Sequence, residues 1–370
     1  WERSQRAIEI DKSRFPDTLF RDHVYGGRDG VEEYKKITDF EPLGDDLASN
    51  FSDTEVIVLS MLERYYREKT TQEKRQIYYD LLRYWLGLIK KLNPDVAIFE
   101  EVAHHPDTCI AYAAFKHFGV KTVIINFTNL KDRLILSLDN KYNCPELDLS
   151  LKNNSGRDFN LGNLSSEMRE ILEAGTCLKE APVHAMERYN ERKKKKLSGR
   201  FGPVIAGIIF WLKMFISFLI WKVAYNFIKN RLAGNAKREY IKMQKTPDFN
   251  SKYAYAALHF QPEANTNVLG GIFVNQINLL EIISAALPAG WKIYVKEHPV
   301  QFYSNGIGYN MFRYRGYYQR IAQIKGAEIV PINTNTYKLM EHSQAVVTVT
   351  GTAAWEAVLR SKPALIFGYM

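Results

Sequence analysis

The alternation of short apolar runs with helical segments between residues 252 and 367 constrains the fold more than any other feature of this sequence. Apolar runs of this length predict buried strands, and the segments between them carry apolar residues at helical spacing. Parallel strands need such helical crossovers, so the alternation predicts a parallel, doubly wound α/β sheet. The runs lie at residues 253–258, 291–295, 327–330, 345–349 and 363–367, and the helical segments at 272–287, 311–324, 336–342 and 353–359.

Polar residues follow three of these predicted strands directly. In open parallel sheets, ligands bind beyond the carboxyl ends of the strands. Because these ends lie along one edge of the sheet, we expect the three sets of residues to form one binding site. The candidates are Gln261 and Glu263 after the first strand, Lys296 and His298 after the second, and Thr350, Gly351, Thr352 and Glu356 after the fourth.

These candidates predict a phosphate-binding site. A glycine at a strand-to-helix turn, here Gly351, lets the backbone approach a ligand, and the helix behind it presents N–H groups to a phosphate. Glu356 is placed to accept hydrogen bonds from ribose hydroxyls. His298 can donate to a phosphate leaving group, to which Lys296 adds positive charge. Two structural interpretations stay open: Thr352 and Glu356 as a capping box, and His298 as a structural histidine.

A second candidate site lies in the N-terminal half of the chain. The runs at residues 94–99 and 120–126 flank a helical segment and predict a βαβ unit. The loop after the first of these runs contains Glu100 and Glu101. Either is a candidate general base, because acid–base catalysis needs a carboxylate within hydrogen-bond reach of the acceptor hydroxyl. The alternative is that Asp107 caps the following helix and the histidines of the loop are solvated.

The chain of 370 residues is too long for one ordinary hydrophobic core. We predict an N-terminal Rossmann-like acceptor domain at residues 1–170, a linker with a helical insert at 171–250, and a C-terminal Rossmann-like donor domain at 251–370. Because the sequence begins without a leader and ends directly after a strand-like run, we expect the first domain to lack its first strand and the last to be truncated. Three cysteines without metal-binding spacing are typical of a reducing compartment.

Positive charge is concentrated in one segment. Residues 191–245 contain fourteen Lys and Arg against two Glu, a net charge of +12, whereas the whole chain carries +9. A patch of this kind attracts phosphates, either of nucleic acid or of an anionic membrane. The patch surrounds the most apolar segment of the sequence, residues 204–228. That segment carries several large aromatic residues, among them Trp211, Phe215, Phe218 and Trp221.

Three interpretations of this basic, apolar insert compete. A transmembrane helix needs about 20 apolar residues, but Lys213 would lie mid-span at a cost of about 2.5–3.5 kcal/mol. Helices that lie in the membrane interface fit better, because aromatic side chains anchor there and residues 192–230 supply cations for anionic lipids. A buried or oligomer-forming helix pair is the remaining alternative. Nucleic acid binding is disfavoured because the cations are not interleaved with stacking aromatic residues.

The strand-end motifs resemble those of a known family. The resemblance covers residues 250–370 well and residues 94–128 loosely. It implies a GT-B architecture, in which two Rossmann-like doubly wound domains face a cleft and the C-terminal domain binds most of the nucleotide-sugar. The motifs at residues 258–263, 294–299 and 347–357, with Lys362-Pro363 and Phe367-Gly368, resemble the capsule polysaccharide biosynthesis family of bacterial glycosyltransferase-like proteins, which includes Kdo transferases.

The resemblance also implies roles for individual residues. His298 and Pro299 would contact the donor phosphate, the loop from Thr350 to Thr352 would lie beside it, and Glu356 would bind the ribose. The acceptor site and the base would come from the N-terminal domain, where no motif matches closely. Metal-dependent GT-A chemistry is disfavoured because no Asp-X-Asp follows an apolar strand. No metal, and no cofactor besides the nucleotide-sugar, is therefore expected.

These observations predict a metal-independent glycosyltransferase that is cytoplasmic and peripheral on the inner face of the cell membrane. It would move a sugar from a nucleotide-sugar to a lipid-linked or growing surface polysaccharide. The insert is also compatible with a homo-oligomer. Three alternatives remain: a polyol-phosphate transferase of the teichoic-acid type, a non-catalytic glycan-assembly protein of the same fold, and a sugar-nucleotide epimerase.

Overall fold

The computed structural model describes residues 40–128, 133–157, 160–176, 234–302 and 312–369. These divide into two compact units, of which the first contains residues 40–128 and 133–143 and the second the described residues from 144 onward. The division falls after Asn143, earlier than the predicted boundary at residue 170. The apolar insert at 204–228 and the segment before residue 40 lie outside the described residues, so what was predicted for them stays a prediction. No helix within the described ranges is long and apolar enough to span a membrane.

The helices of the first unit have well-defined ends. The longest begins after Thr70, whose hydroxyl accepts a hydrogen bond from the Glu73 N–H at 3.2 Å while the Thr70 N–H donates to the Glu73 carboxylate at 2.7 Å. This capping box satisfies backbone donors that the first turn leaves without partners. The same helix stops at Asn93, which has left-handed backbone geometry with φ of 44°. The helices are α1 (Asp45–Ser49), α2 (Ser52–Tyr65), α3 (Thr71–Leu92) and α4 (Pro106–His117).

The sheet of the first unit has three strands, β1 (Val96–Phe99), β2 (Lys121–Phe127) and β3 (Leu134–Ser137), in that order. Strands β1 and β2 pair in parallel, and α4 connects them, which confirms the predicted βαβ unit. Ala97 and Phe99 of β1 belong to the same buried cluster as Ala111 of α4. Strand β3 pairs antiparallel with β2 and was not predicted, because four residues are too few to establish a period.

The second unit is built around one parallel sheet. Its strands are β4 (Tyr253–Ala257), β5 (Lys292–Lys296), β6 (Ala327–Ile329), β7 (Ala345–Thr348) and β8 (Ala364–Ile366). Its helices are α5 (Pro145–Asn154), α6 (Ser166–Thr176), α7 (Ala236–Met243), α8 (Ala264–Leu269), α9 (Gln276–Ala286), α10 (Tyr317–Gln323), α11 (Thr336–His342) and α12 (Ala353–Leu359). The strand order is β6-β5-β4-β7-β8, with every neighbouring pair parallel.

Successive side chains of β4 enter two different core clusters. Ala254 and Ala256 pack with residues of α7, α9 and α10. Tyr253 and Tyr255 pack with residues of α11 and α12. Helices therefore cover both faces, and the predicted doubly wound sheet is confirmed. Burial on both faces also explains why these strands appear in the sequence as nearly continuous apolar runs.

Two predicted helices are shorter than expected. The helix predicted at residues 311–324 begins only at Tyr317, after Gly316, whose φ of 90° is incompatible with a helix interior. The residues before it instead place the Arg313 side chain in the core, where the residue is 1% exposed. The helix predicted at 272–287 begins at Gln276, because the Asn275 side chain accepts from the N–H of its second residue and so fixes the start.

Candidate functional site

The strand order of the second unit reverses beside β4. From β4 the chain continues to β5 and β6 on one side, and then adds β7 and β8 on the other. The position between β4 and β7 is therefore the topological switch point, where open sheets of this kind bind ligands. The loops after β4, β5 and β7 carry the three predicted motifs, so the structure brings these motifs to one edge of the sheet.

His259, two residues after β4, connects this loop to the loop after β7. Its Nε2 accepts hydrogen bonds from the Val349 N–H at 3.3 Å and the Thr350 N–H at 3.2 Å, and lies 3.0 Å from the Thr348 hydroxyl. An accepting Nε2 places the proton of the neutral ring on Nδ1. Burial lowers the pKa of His259 to about 4, so the ring is neutral near pH 7. It was not among the predicted site residues, although its position directly after an apolar run was an available signal.

Gly351 is required by the close approach of His259. A Cβ atom at this position would lie 2.7 Å from His259 Cε1 and 2.9 Å from the Thr348 hydroxyl. The prediction attributed this glycine to the approach of a ligand, and the structure gives a different reason, the imidazole packed against it. Gly368 plays a similar part, because its Cβ would lie 2.6 Å from Thr350 Cγ2. The loop after β7 is thus held between neighbours on two sides.

The unfolding free energy is expected to fall more steeply with decreasing pH in the wild type than in a His259→Gln variant, between pH 6.5 and about 4. The folded-state pKa of about 4 lies below the ordinary value of 6.5, so in this interval the unfolded chain binds a proton that the folded chain does not. This one group accounts for at most about 3 kcal/mol, and for nothing above pH 6.5. Chemical denaturation at a series of pH values measures the difference, and equal slopes for the two proteins would contradict it.

Two glutamine side chains hold the backbone of the loop after β4. The Gln276 amide accepts from the His259 N–H at 2.7 Å and donates to the His259 carbonyl at 3.0 Å. The Gln301 amide does the same for Gln261, at 2.7 and 3.1 Å. Gln261 in turn accepts from the Glu263 N–H at 3.0 Å. Buried backbone groups of an irregular loop need such partners, and here they also fix its position.

Arg313 joins the ends of β4 and β5. Its guanidinium donates to Glu297 twice, from Nε to Oε2 at 2.6 Å and from Nη2 to Oε1 at 3.2 Å. Nη2 also donates to the His259 carbonyl at 2.8 Å. The Tyr318 hydroxyl donates to Glu297 Oε2 at 2.8 Å. The Arg313 and Glu297 side chains are only 2% and 0% exposed, so the pair forms a buried brace between the two loops.

His298 is positioned by the same ion pair. Its backbone N–H donates to Glu297 Oε1 at 2.8 Å, and its ring Nδ1 accepts from the Val300 N–H at 3.2 Å. An accepting Nδ1 assigns the proton of the neutral ring to Nε2. Burial lowers the pKa of His298 below the ordinary value of 6.5. Near pH 7 the side chain is therefore a neutral N–H donor with a fixed ring.

Lys296 and Glu263 have structural partners that the sequence did not predict. Lys296 is buried, and its ammonium donates to the Thr334 carbonyl at 2.6 Å and the Thr336 hydroxyl at 2.7 Å. Glu263 Oε2 accepts from the Thr266 N–H at 2.8 Å and from the Thr266 hydroxyl, at the start of α8. The charge of Lys296 thus acts from inside the fold, and Glu263 acts as a helix cap. A direct ligand contact by either residue stays a prediction.

The loop after β7 places hydroxyl groups beside a carboxylate. Thr350 Oγ1 lies 3.3 Å from Thr266 Oγ1 of α8. The exposed Thr352 donates its hydroxyl to Glu356 Oε1 at 3.3 Å. Thr352 is the N-cap residue of α12, but its side chain makes no capping hydrogen bond, so the capping-box alternative is not formed. Thr352 and Glu356 lie next to each other at the start of this helix.

Glu100 and Glu101, the candidate bases, follow β1 in the first unit. Glu100 is exposed, and Glu101 Oε1 lies 3.4 Å from His104 Nε2. Asp107 accepts from Trp85 Nε1 at 2.8 Å and is the second residue of α4 rather than its cap. The alternative in which Asp107 caps this helix is therefore wrong. The role of either glutamate as a base stays a prediction.

Two transferases and one epimerase are among the solved structures that are similar to this chain. The first is the beta Kdo 2,4 transferase of Thermosulfurimonas dismutans KpsC, at 12% identity over 74% of this chain and 68% of that chain, with a TM-score of 0.31. The second is the beta Kdo 2,7 transferase of the same protein, at 12% identity over 86% of this chain and 77% of that chain, with a TM-score of 0.31. The third is a Neisseria meningitidis UDP-GlcNAc 2-epimerase bound to UDP-GlcNAc, at 13% identity over 79% of this chain and 64% of that chain, with a TM-score of 0.24. The chain thus spans less than two thirds of the epimerase.

The C-terminal part of the sequence matches a family of known description. No curated protein matches the chain. Residues 223–370 match the family described as "Capsule polysaccharide biosynthesis protein". This range contains all three strand-end motifs and the switch point between β4 and β7. The match covers less than half of the chain, and over residues 223–370 it confirms the resemblance predicted from the motifs.

Proposed function

We propose that the protein is a glycosyltransferase of capsule assembly, which moves a sugar from a nucleotide-sugar to a surface polysaccharide. The observation that carries the proposal is the convergence of three motif-bearing loops at the switch point of the second unit, with His298 as a fixed, neutral N–H donor. The family match over the same residues supports it. Transfer of a sugar leaves negative charge on the departing phosphate, and a positioned donor stabilises that charge.

The rigidity of this edge supports a catalytic role. The loops after β4, β5 and β7 are connected by His259 and by the Arg313–Glu297 pair, so little reorganisation is needed when charge develops on a ligand. His298 and the threonines of the loop after β7 would bind the donor phosphate, and Glu356 the ribose. In this proposal, N–H and O–H groups bind the donor phosphate without a metal ion. Glu100 or Glu101 would supply the base.

The acceptor side of the proposal rests on composition. The cationic and aromatic residues of 192–230 would dock on the anionic inner face of the cell membrane, where a lipid-linked glycan acceptor is presented to a cytoplasmic enzyme. This insert lies largely outside the described residues. The same composition does not favour nucleic acid as a partner, and self-association of the insert is the competing use of its apolar surface.

The proposal predicts that one class of nucleotide-sugar raises the melting temperature of the protein and serves as a donor. The test is a thermal-shift screen with CMP, UDP, GDP and CDP and their sugar conjugates, followed by transfer assays with glycan acceptors on anionic and on neutral vesicles. Binding to the native state alone raises stability with ligand concentration. A variant lacking residues 201–230 should lose any preference for anionic vesicles.

Each rival function predicts a different outcome of this screen. Transfer of a polyol phosphate from a CDP conjugate would indicate the teichoic-acid type of reaction. Product formed without an acceptor would indicate an epimerase. Nucleotide binding without turnover would indicate a non-catalytic assembly protein. If no nucleotide shifts the melting temperature, the second unit is not a donor-binding unit and the proposed function is wrong.

A further inference from the structure

Three potential metal ligands converge at the carboxyl end of β1, in the first unit. They are Glu101, His104 and His105, which we call the Glu-His-His cluster. One ligand atom of each residue, a carboxylate oxygen or an imidazole nitrogen, lies within 4.8 Å of those of the other two. The two imidazole rings are in contact, with centroids 4.3 Å apart. The cluster belongs to the first unit, whereas the donor edge belongs to the second.

The spacing within the cluster fits a shared cation. Glu101 Oε1 and His104 Nε2 are 3.4 Å apart. That is longer than an ordinary N–H···O hydrogen bond, for which the donor–acceptor distance is about 2.9–3.0 Å. Zinc binds nitrogen and oxygen at about 2.0–2.1 Å in tetrahedral geometry, so two of its ligands are about 3.3–3.4 Å apart. The observed separation of Glu101 Oε1 and His104 Nε2 therefore equals the distance between two ligand atoms of a tetrahedral zinc site.

Hydrogen bonds outside the cluster hold it in place. The Tyr65 hydroxyl lies 2.8 Å from His105 Nδ1. A partner on one ring nitrogen is what usually orients an imidazole that binds a metal through the other. The backbone between the ligands is fixed as well, because the Ala103 N–H donates to Asn140 Oδ1 at 3.3 Å. The cluster is thus positioned before any ligand arrives.

One buried polar atom of the cluster has no hydrogen-bond partner in the described part of the chain. His104 Nδ1 is buried, and no hydrogen-bond partner for it is found among the described residues. The side chain as a whole is 12% exposed, so the ring is close to the surface without reaching it. An ion bound to His104 Nε2 would leave the ring proton on Nδ1, so a partner for this atom would be a bridging water and not the ion itself.

We propose that the Glu-His-His cluster binds a divalent transition-metal ion of the zinc class. Two imidazoles and one carboxylate select such ions over Mg²⁺ and Ca²⁺, which prefer oxygen ligands alone. Three protein ligands leave a fourth position for water. The site goes beyond the proposed transferase function, which assigns no metal ion. It also changes the choice of base, because a Glu101 carboxylate bound to a metal is not free to accept a proton from the acceptor, which leaves Glu100.

The test measures metal binding directly, on the full chain without a histidine tag and without any nucleotide. Titration with Co²⁺, followed by its visible absorption, and calorimetric titration with Zn²⁺ should both give one ion per chain. Glu101→Gln and His104→Ala should each lower the affinity at least about 10-fold, and Tyr65→Phe by roughly 10-fold, as loss of an outer partner does. His117→Ala removes an exposed histidine from the end of α4 and should change nothing.

The outcomes separate this proposal from the transferase proposal, because no donor is present in the titration. Equal affinity of the wild type and His104→Ala would mean that another group binds the ion, and would overturn the site. Absence of binding to the wild type would do the same. Should His104→Ala fail to fold by circular dichroism, Glu101→Gln decides, because Glu101 is 43% exposed and its substitution leaves the packing intact.

Discussion

A His298→Ala variant is expected to transfer sugar at least about 100-fold more slowly than the wild type while keeping its fold. The ring presents a neutral Nε2–H, because Nδ1 accepts from the Val300 N–H at 3.2 Å and burial lowers the pKa of the side chain. Alanine removes this donor but leaves the backbone hydrogen bond to Glu297 in place. Since the donor acts on charge that develops as the phosphate departs, kcat should fall more than KM rises, and steady-state kinetics measures both.

The control for this variant is His342→Ala, which removes an exposed histidine of α11 in the same unit and should leave turnover unchanged. His298→Gln keeps an N–H donor and should retain part of the activity. In the wild type, kcat should not rise as the pH falls from about 8 to 6.5, because burial lowers the pKa of His298 and so disfavours the protonated ring. An increase in kcat over the same interval would show that the protonated ring is the active form, and the neutral-donor role would be wrong.

The fold of the second unit could be predicted from the sequence because its strands are buried on both faces. Continuous apolar runs and helical crossovers then follow from the architecture itself, as in β4 with its alternating alanine and tyrosine residues. The prediction was wrong where a long-range contact overrode local propensity. Residues 312–316 have a helical pattern in sequence, but Arg313 is drawn into the core by Glu297, and the helix starts only after Gly316.

The positions of the candidate site residues could be predicted from the sequence, but their side-chain contacts could not. The rule that ligands bind at strand ends was enough to select His298 and Thr350 from the sequence. It could not show that Lys296 is turned toward Thr334 and Thr336, because that contact is made between segments far apart in the chain. His259 also follows a strand end, but its part in the site comes from hydrogen bonds to a loop about 90 residues later, which the rule does not reveal. The end of a strand can be predicted from the local sequence, whereas the contacts between strand ends join residues that are far apart in the chain.

An Arg313→Met variant is expected to lose about 3–5 kcal/mol of unfolding free energy, because it breaks a buried ion pair. The substitution leaves the Glu297 carboxylate buried at 0% exposure, with the Tyr318 hydroxyl and the His298 N–H as its remaining partners named here. A buried charge without its counter-ion is costly because the protein interior solvates it poorly. Chemical denaturation compares the variant with the wild type.

The matched control is Arg320→Met, which breaks an ion pair of the same kind with Glu281, at 3.1 Å but 52% and 46% exposed. Water screens that pair, so its loss should cost much less unfolding free energy than the loss of the buried pair. Arg313→Lys keeps the charge but not the two-pronged hydrogen bond, and should fall between the two. Because Arg313 also holds the His259 carbonyl, its loss should loosen the loops after β4 and β5 together, and faster hydrogen exchange there would accompany the lost stability. If Arg313→Met costs no more than Arg320→Met, the brace does not hold the site, and the other hydrogen bonds of His259 and His298 maintain their positions.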